Sequence, residues 1–170
     1  MKSCFFLGNA KIDYLPYRQA IKDWIFHLVD FYGVKRFFSM GYSTFDKLCA
    51  ELVDEVRKEQ GLSVRNTLVH VYRDERKKEL SECYDDGVYL LKRRVPNEYL
   101  FLKTNYAIIK RSAMIFSGVF FPLEGELVFV LEYAMDRKKK IIKLDVEETD
   151  EEIERGKEAV YFKIFGKEME

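Results

Sequence analysis

Residues 35–58 read KRFFSMGYSTFDKLCAELVDEVRK, and this stretch decides the fold. An apolar run ends at Ser39, a polar turn with one glycine follows at 40–44, and a helical pattern begins at once. The stretch therefore predicts a strand, a tight turn and a helix capped by Ser43 or Thr44. The helix N-terminus in such an arrangement can hold a phosphate. The apolar residues recur on one helical stripe, at Phe45, Leu48, Cys49, Leu52, Val53 and Val56.

Outside this stretch, apolar runs typical of doubly buried strands alternate with amphipathic helical patterns. Strands are predicted at 4–7, 34–39, 67–72, 88–91, 113–121 and 141–144, and further helices at 16–32, 97–111 and 127–140. This alternation predicts an α/β domain with a mainly parallel central sheet and right-handed crossovers. We expect a single domain over 1–170, with a core at about 3–145. The acidic and then aromatic segment 146–170 is expected to pack on its edge.

The composition limits the function classes. Lysine plus arginine and aspartate plus glutamate each number 29, so the basic excess of a general nucleic-acid binder is missing and nucleic acid is not an expected partner. The early apolar run at 4–7 is too short for a signal-peptide core. No run approaches the roughly 18 apolar residues of a membrane span. A cytoplasmic protein without a membrane partner is the expectation, and the aromatic-rich helices could bury a homo-oligomer interface.

The cysteines and histidines do not form a recognisable metal motif. Cys4, Cys49 and Cys83 lie far apart, without CxxC spacing, and fit core positions in a reducing compartment. His27 falls on a predicted helix and His70 in a predicted strand, so both are read as structural. We predict no metal site, and the sequence names no cofactor.

Three turns should meet at the carboxyl edge of the sheet, where open α/β sheets bind ligands. They are 8–10, 40–44 and 118–126. Glycine lets the backbone approach a ligand there, and Ser43 and Thr44 could add hydroxyl donors. Alternatively, Gly41 only satisfies turn geometry and Ser43 or Thr44 only caps the helix. Neither GxGxxG nor a Walker A sequence is present. Tyr72 and Arg73, after the third predicted strand, could contact a base or a phosphate or form an ordinary loop.

Four motifs in order resemble the SLOG superfamily, Rossmann-like domains related to the DNA-processing protein DprA and to cytokinin-activating phosphoribohydrolases. They are FFLGNA at 5–10, GYSTFD at 41–46, NYAIIKRSAMI at 105–115, and the glycine turn at 125 leading to Tyr133-Ala134 and a basic end. The small YpsA-like bacterial members are the most similar. The resemblance spans about 4–145. It implies a Rossmann-like three-layer fold and a pocket for a nucleotide or nucleotide derivative.

Together, the turns and the resemblance predict a set of ligand-binding residues, namely Gly8, Asn9, Gly41, Tyr42, Ser43, Thr44, Asn105 and Gly125. The sequence also departs from the superfamily pattern. Met40 stands where a second glycine is usual, and Glu124-Gly125-Glu126 replaces a Gly-Gly-Thr loop. Two carboxylates there would repel a phosphate. The segment 128–131 is apolar where phosphoribohydrolases carry a catalytic glutamate, so we do not assign that activity to this chain.

The catalytic residues, if any exist, stay unknown at this stage. Asp46 and Glu126 are the candidate carboxylates, with Glu124 and Glu132 as further acidic groups near the expected pocket. Three hypotheses remain. The first is a sensor-like domain that binds a nucleotide or nucleotide derivative without catalysis. The second is an enzyme that hydrolyses or transfers at a nucleotide N-glycosidic bond. The third is a protein-interaction domain that has lost its ligand.

Overall fold

A parallel sheet forms the centre of the described part of the molecule. The computed structural model describes residues 1–77, 79–119 and 125–144. Within them, six strands lie in the order β4-β3-β2-β1-β5-β6, and every neighbouring pair is parallel. The α/β class predicted from the sequence is confirmed. The strands are β1 Ser3–Gly8, β2 Arg36–Ser39, β3 Arg65–Val69, β4 Asp86–Val88, β5 Met114–Gly118 and β6 Lys140–Lys143.

Four α-helices cover the two faces of the sheet. They are α1 Arg18–Asp30, α2 Thr44–Gln60, α3 Leu100–Arg111 and α4 Leu127–Asp136. Successive residues of β1 point to opposite faces, so Cys4 and Phe6 pack with α1 and α2. Phe5 and Leu7 pack with α3 and α4 on the other face. Each helix buries one apolar stripe, and the two cores enclose a sheet buried on both sides.

The strand order reverses between β1 and β5. From β1 the chain proceeds outward to β4, then returns to β5 on the other side of β1 and continues to β6. This position is the topological switch point of the sheet, where ligands bind most often in open α/β folds. Gly8 and Gly118 are register partners there, at the carboxyl ends of the two central strands.

The edge of the sheet beyond β2 differs from the prediction. The third strand was predicted at 67–72, but β3 ends at Val69 because the chain turns into the short 3-10 helix Arg73–Lys77. The fourth was predicted at 88–91, whereas β4 is Asp86–Val88. A Cβ at Gly87 would lie 2.3 Å from Nε2 of His70, so β4 approaches β3 through a glycine. Aspartate and glycine are rare in strands, so the residue preferences of this segment did not indicate that it pairs with β3.

Several predictions fall partly outside the described residues. Of the strand predicted at 113–121, the structure has Met114–Gly118, and residues 120–124 are not described. The predicted extension 146–170 also lies outside the described residues. None of the helices in the described ranges combines the length and the apolar character of a bilayer-spanning segment.

Candidate functional site

The turn between β2 and α2 is held by a capping box. Oγ of Ser43 accepts a hydrogen bond from the backbone N–H of Asp46 at 3.0 Å. In return, Oδ1 of Asp46 accepts from the N–H of Ser43 at 3.2 Å. Gly41 adopts a positive φ of 77°, a conformation that glycine tolerates without strain. The predicted helix α2 therefore begins where the side chains of Ser43 and Asp46 can accept hydrogen bonds from backbone N–H groups that have no partner within the helix.

The second oxygen of the same carboxylate binds the rest of the turn. Oδ2 of Asp46 accepts from the N–H groups of Met40 and Gly41, each at 3.1 Å. Three turn amides thus bind one buried side chain, which is only 4% exposed. These are amides that a phosphate at this turn would need. The hydroxyl of Thr44 is also engaged, because it donates to the carbonyl of Ile12 at 2.5 Å.

The switch point between β1 and β5 is filled by aromatic side chains. A Cβ at Gly8 would lie 2.3 Å from Cβ of Phe45, and one at Gly118 would lie 2.4 Å from Cε2 of the same ring. Both glycines therefore allow α2 to pack closely on the strand ends. Tyr14 closes the remaining gap, since its hydroxyl accepts from the N–H of Asn9 at 3.0 Å and donates to the carbonyl of Gly118 at 2.5 Å.

A small cavity remains on the opposite side of these strand ends. Its volume is about 40 Å³, and several of the predicted site residues line it, namely Gly8, Tyr42, Ser43, Asp46 and Asn105. Such a volume accepts water but is far below the several hundred Å³ of a small-molecule pocket. Nδ2 of Asn105 donates to the carbonyl of Phe101 at 2.9 Å. Thr44 and Gly125 are not among the described residues that line this cavity.

A larger cavity of about 420 Å³ opens next to the same turn, at the carboxyl ends of β2 and β3. Gly41 and Tyr42 of the predicted site line it, and Tyr42 lines both cavities. The hydroxyl of Tyr42 donates to the carboxylate of Glu75, and its ring meets that of Phe101 edge-on at 5.8 Å. The remaining lining includes residues that were not predicted, among them Lys47, Glu51, Leu68, His70 and Tyr84.

Sequence reasoning missed these residues for a physical reason. Residues 73–84 look like an ordinary charged loop in the sequence, and nothing local shows that Glu75, Glu79 and Tyr84 line one cavity with Leu68 of β3. Tyr72 and Arg73 gave the one available signal, because aromatic and basic groups there stand at the end of the predicted third strand. Glu75, two residues further on, lines the cavity, and its carboxylate also accepts from the N–H of Val71 at 3.3 Å.

The other predicted carboxylate lies at the start of α4. Glu126 is the N-cap residue of this helix, directly after Gly125, which has a φ of 57°. Its Oε2 atom is buried and has no hydrogen-bond partner among the described residues. Burial raises the pKa of the nearby Tyr106, and the charges of Glu132 and Glu126 raise it further. A buried oxygen of this kind marks a position where a donor would be favoured.

Comparisons with known proteins agree on the fold. No protein-family model matches the chain, and no curated protein matches its sequence. Among solved structures, DNA processing protein A (DprA) from Streptococcus pneumoniae has a TM-score of 0.61 at 11% identity, over 96% of this chain and 56% of that one. The Moco carrier protein from Chlamydomonas reinhardtii has a TM-score of 0.55 at 12% identity, over 97% of this chain and 85% of that one.

The fold is Rossmann-like. A further structure of the molybdenum cofactor carrier protein from Chlamydomonas reinhardtii shares it, with a TM-score of 0.53 at 12% identity over 84% of this chain and 75% of that one. The Rossmann-like fold implied by the resemblance to the SLOG superfamily is thereby confirmed. Sequence identities this low support a shared fold and nothing more. This Rossmann-like chain spans little more than half of the DprA chain.

The buried carboxylate predicts a pH dependence of stability. Burial raises the pKa of Asp46 to about 6, although the N–H groups of Met40, Gly41 and Ser43 act in the opposite direction. Between the unfolded pKa near 4 and this value, the folded state binds more protons, so this contribution to stability decreases as the pH rises. From pH 7.5 to pH 5, the wild type should gain about 1.4 kcal/mol relative to Asp46→Asn.

Urea unfolding of the two proteins at both pH values measures this difference. Taking the difference between the proteins cancels every titrating group that they share. A difference that stays constant between the two pH values would show that the folded and unfolded pKa values of Asp46 are equal.

Proposed function

We propose that this domain binds a nucleotide or a nucleotide derivative and acts as a sensor-like module rather than as an enzyme. The observation that carries the proposal is the cavity of about 420 Å³ beside the β2–α2 turn. Its volume falls within the range of small-molecule sites, and it lies at the carboxyl edge of a parallel sheet. Gly41 and Tyr42, which the sequence predicts as ligand-binding, contribute to its wall.

The state of Asp46 supports binding without catalysis. Its carboxylate accepts three backbone N–H groups and is 4% exposed. A general acid or base must come within hydrogen-bond distance of the reacting atoms. Asp46 is not among the described residues that line the larger cavity. Its role in this proposal is to shape the turn on which Gly41 and Tyr42 are carried.

The relatives in fold are compatible with a bound small molecule. One of them is named as a carrier of the molybdenum cofactor, and the other as a DNA-processing protein. Membership of the SLOG superfamily, which the sequence motifs indicate, belongs to the same proposal. We also propose that the protein is cytoplasmic and that its chain forms a single domain.

An N-glycosidic enzyme is the second candidate, and Glu126 is the observation that favours it. Its buried Oε2 atom has no hydrogen-bond partner within the described ranges, as expected of a carboxylate that would meet a substrate hydroxyl or water. Release of free base from a nucleotide, lost in Glu126→Gln, would support this candidate.

A protein-interaction domain is the third candidate. It is favoured by the aromatic side chains of Tyr14 and Phe45, which fill the switch point.

A thermal-shift screen tests the binding proposal. Nucleosides, mono-, di- and cyclic nucleotides and their derivatives are added singly, and the melting temperature is recorded. A ligand at 100 times its Kd stabilises the folded state by about 2.7 kcal/mol, which corresponds to roughly 5–10 °C for a chain of this size. The same samples are assayed for free base, and none should form.

A cavity-filling variant locates the binding. Ser81 lines the larger cavity and is exposed, so Ser81→Trp should remove the thermal shift by occupying the space. Ser63→Trp is the matched control, because Ser63 is also exposed but precedes β3 at the opposite edge of the sheet. The absence of a shift with every compound in the screen would contradict nucleotide binding and favour the interaction domain.

A further inference from the structure

The larger cavity has apolar and aromatic walls. Leu68 of β3, Met40 and Leu80 supply apolar surface, and the rings of Tyr42 and Tyr84 face the same space. Tyr42 is 41% exposed, yet its hydroxyl is bound to the carboxylate of Glu75. An exposed ring held in one position is a platform on which a planar ligand can stack, with little loss of side-chain freedom on binding.

The charges around this space are mainly negative. Glu51, Glu75 and Glu79 line the cavity, whereas Lys47 is the single lysine or arginine among its described lining residues. Glu75 is fixed by Tyr42 and by the N–H of Val71, and its carboxylate lies 3.8 Å from Nδ1 of His70. A phosphate in the cavity would therefore meet three acidic side chains, which disfavour a second negative charge.

The neighbouring β2–α2 turn also disfavours a phosphate. The amides of Met40, Gly41 and Ser43, which could have attracted a phosphate, are bound to Asp46. Carboxylates accept hydrogen bonds and cannot donate them when ionised, so they match N–H donors on a ligand. The cavity thus combines a stacking surface with three carboxylate side chains that can accept hydrogen bonds from a ligand.

We infer that the cavity takes an uncharged heteroaromatic ring bearing an exocyclic amino group, as in adenine or cytosine, and that any phosphate of the same ligand stays outside it. This inference rests on the proposed function and specifies which part of the nucleotide enters. The amino group donates to the carboxylate of Glu51 or Glu75, and the ring stacks on Tyr42.

Isothermal titration calorimetry with matched nucleosides tests the inference. Adenosine and inosine differ at one amino group, and so do cytidine and uridine. At least one aminated member should bind about 10-fold or more tightly than its deaminated counterpart, because a carbonyl oxygen would face the carboxylates. Its 5′-monophosphate should bind no more tightly than the nucleoside itself.

Variants of α2 identify the group responsible. Glu51→Gln removes one acceptor charge and should weaken binding of the preferred nucleoside several-fold, while improving the affinity of the monophosphate relative to it. Glu59→Gln is the matched control, since Glu59 lies on the same helix and pairs with Lys22, outside the cavity. It should leave all affinities unchanged.

The outcomes separate this inference from the proposal on which it rests. Tighter binding of a monophosphate than of its nucleoside, or equal binding of amino and deaminated partners, overturns the inference and leaves nucleotide binding established. The inference is also overturned if both Glu51→Gln and Glu75→Gln keep the full preference for the aminated nucleoside. A failure of all these nucleosides and monophosphates to bind overturns the inference, whereas the proposed function is overturned only if no compound of the wider thermal-shift screen binds.

Discussion

Replacing Asp46 by alanine is expected to lower the free energy of unfolding by about 3 kcal/mol. The substitution removes the acceptor for the N–H groups of Met40, Gly41 and Ser43. A buried donor left without an acceptor costs about 1–3 kcal/mol, and loss of a helix cap costs about 1 kcal/mol. Removal of the desolvated charge offsets part of this sum. Chemical denaturation at pH 7.5 measures the change.

Two other variants define the cause. Asp46→Asn keeps an acceptor oxygen and should lose less stability than Asp46→Ala. Asp23→Ala removes an exposed aspartate from α1 and should change the free energy of unfolding by less than about 0.5 kcal/mol. If Asp46→Ala were as stable as the wild type, the turn amides would not depend on this carboxylate and would be available for a ligand.

Removing the Phe45 ring should destabilise the protein by about 3–5 kcal/mol, as is usual for a fully buried phenylalanine. Phe45 is 0% exposed, and its ring contacts those of Phe6, Tyr14 and Phe116. Gly118→Ala should also destabilise, by about 1–3 kcal/mol or more, because the new methyl group would lie 2.4 Å from Cε2 of Phe45.

The double variant carries the sharper prediction. With the ring absent, the methyl group at position 118 has space, so Gly118→Ala should cost little in the Phe45→Ala background. Denaturation of the four proteins should therefore give a coupling energy of about 1–3 kcal/mol. Phe31→Ala is a control, since Phe31 is 71% exposed. If the destabilisation of the double variant equalled the sum of the two single values, Gly118 would not be needed for the packing of the Phe45 ring.

Much of the fold follows from local sequence patterns. The strand at β1 and the helix α2 are both predicted correctly, because each combines a strong apolar period with clear end signals. Gly61 ends α2 with a φ of 64°, as a glycine after a helix commonly does. The predicted limits of β3 were wrong because the chain turns after Val69 towards the 3-10 helix at Arg73–Lys77. Those of β4 were wrong because β4 approaches His70 through Gly87, a contact that no local pattern reveals.

The cap of the β2–α2 turn was predictable from the sequence, but the other contacts of this turn were not. A serine followed three residues later by an acidic group is a visible capping pattern, and the structure forms it at Ser43 and Asp46. That the second carboxylate oxygen reaches Met40 and Gly41 depends on the path of the turn. The larger cavity depends on Glu75, Glu79 and Tyr84 lying near Leu68 of β3, and composition alone does not encode that proximity.

The carboxylate of Asp46 makes the β2–α2 turn self-liganded. Any external anion at these amides must compete with an intramolecular anion that is tethered a few residues away and is therefore present at high effective concentration. Such competition would ease only when Asp46 takes up a proton, near a pH of about 6. The Rossmann-like chain thus occupies these three amides with its own carboxylate, and an external anion gains hydrogen bonds from them only by displacing Asp46.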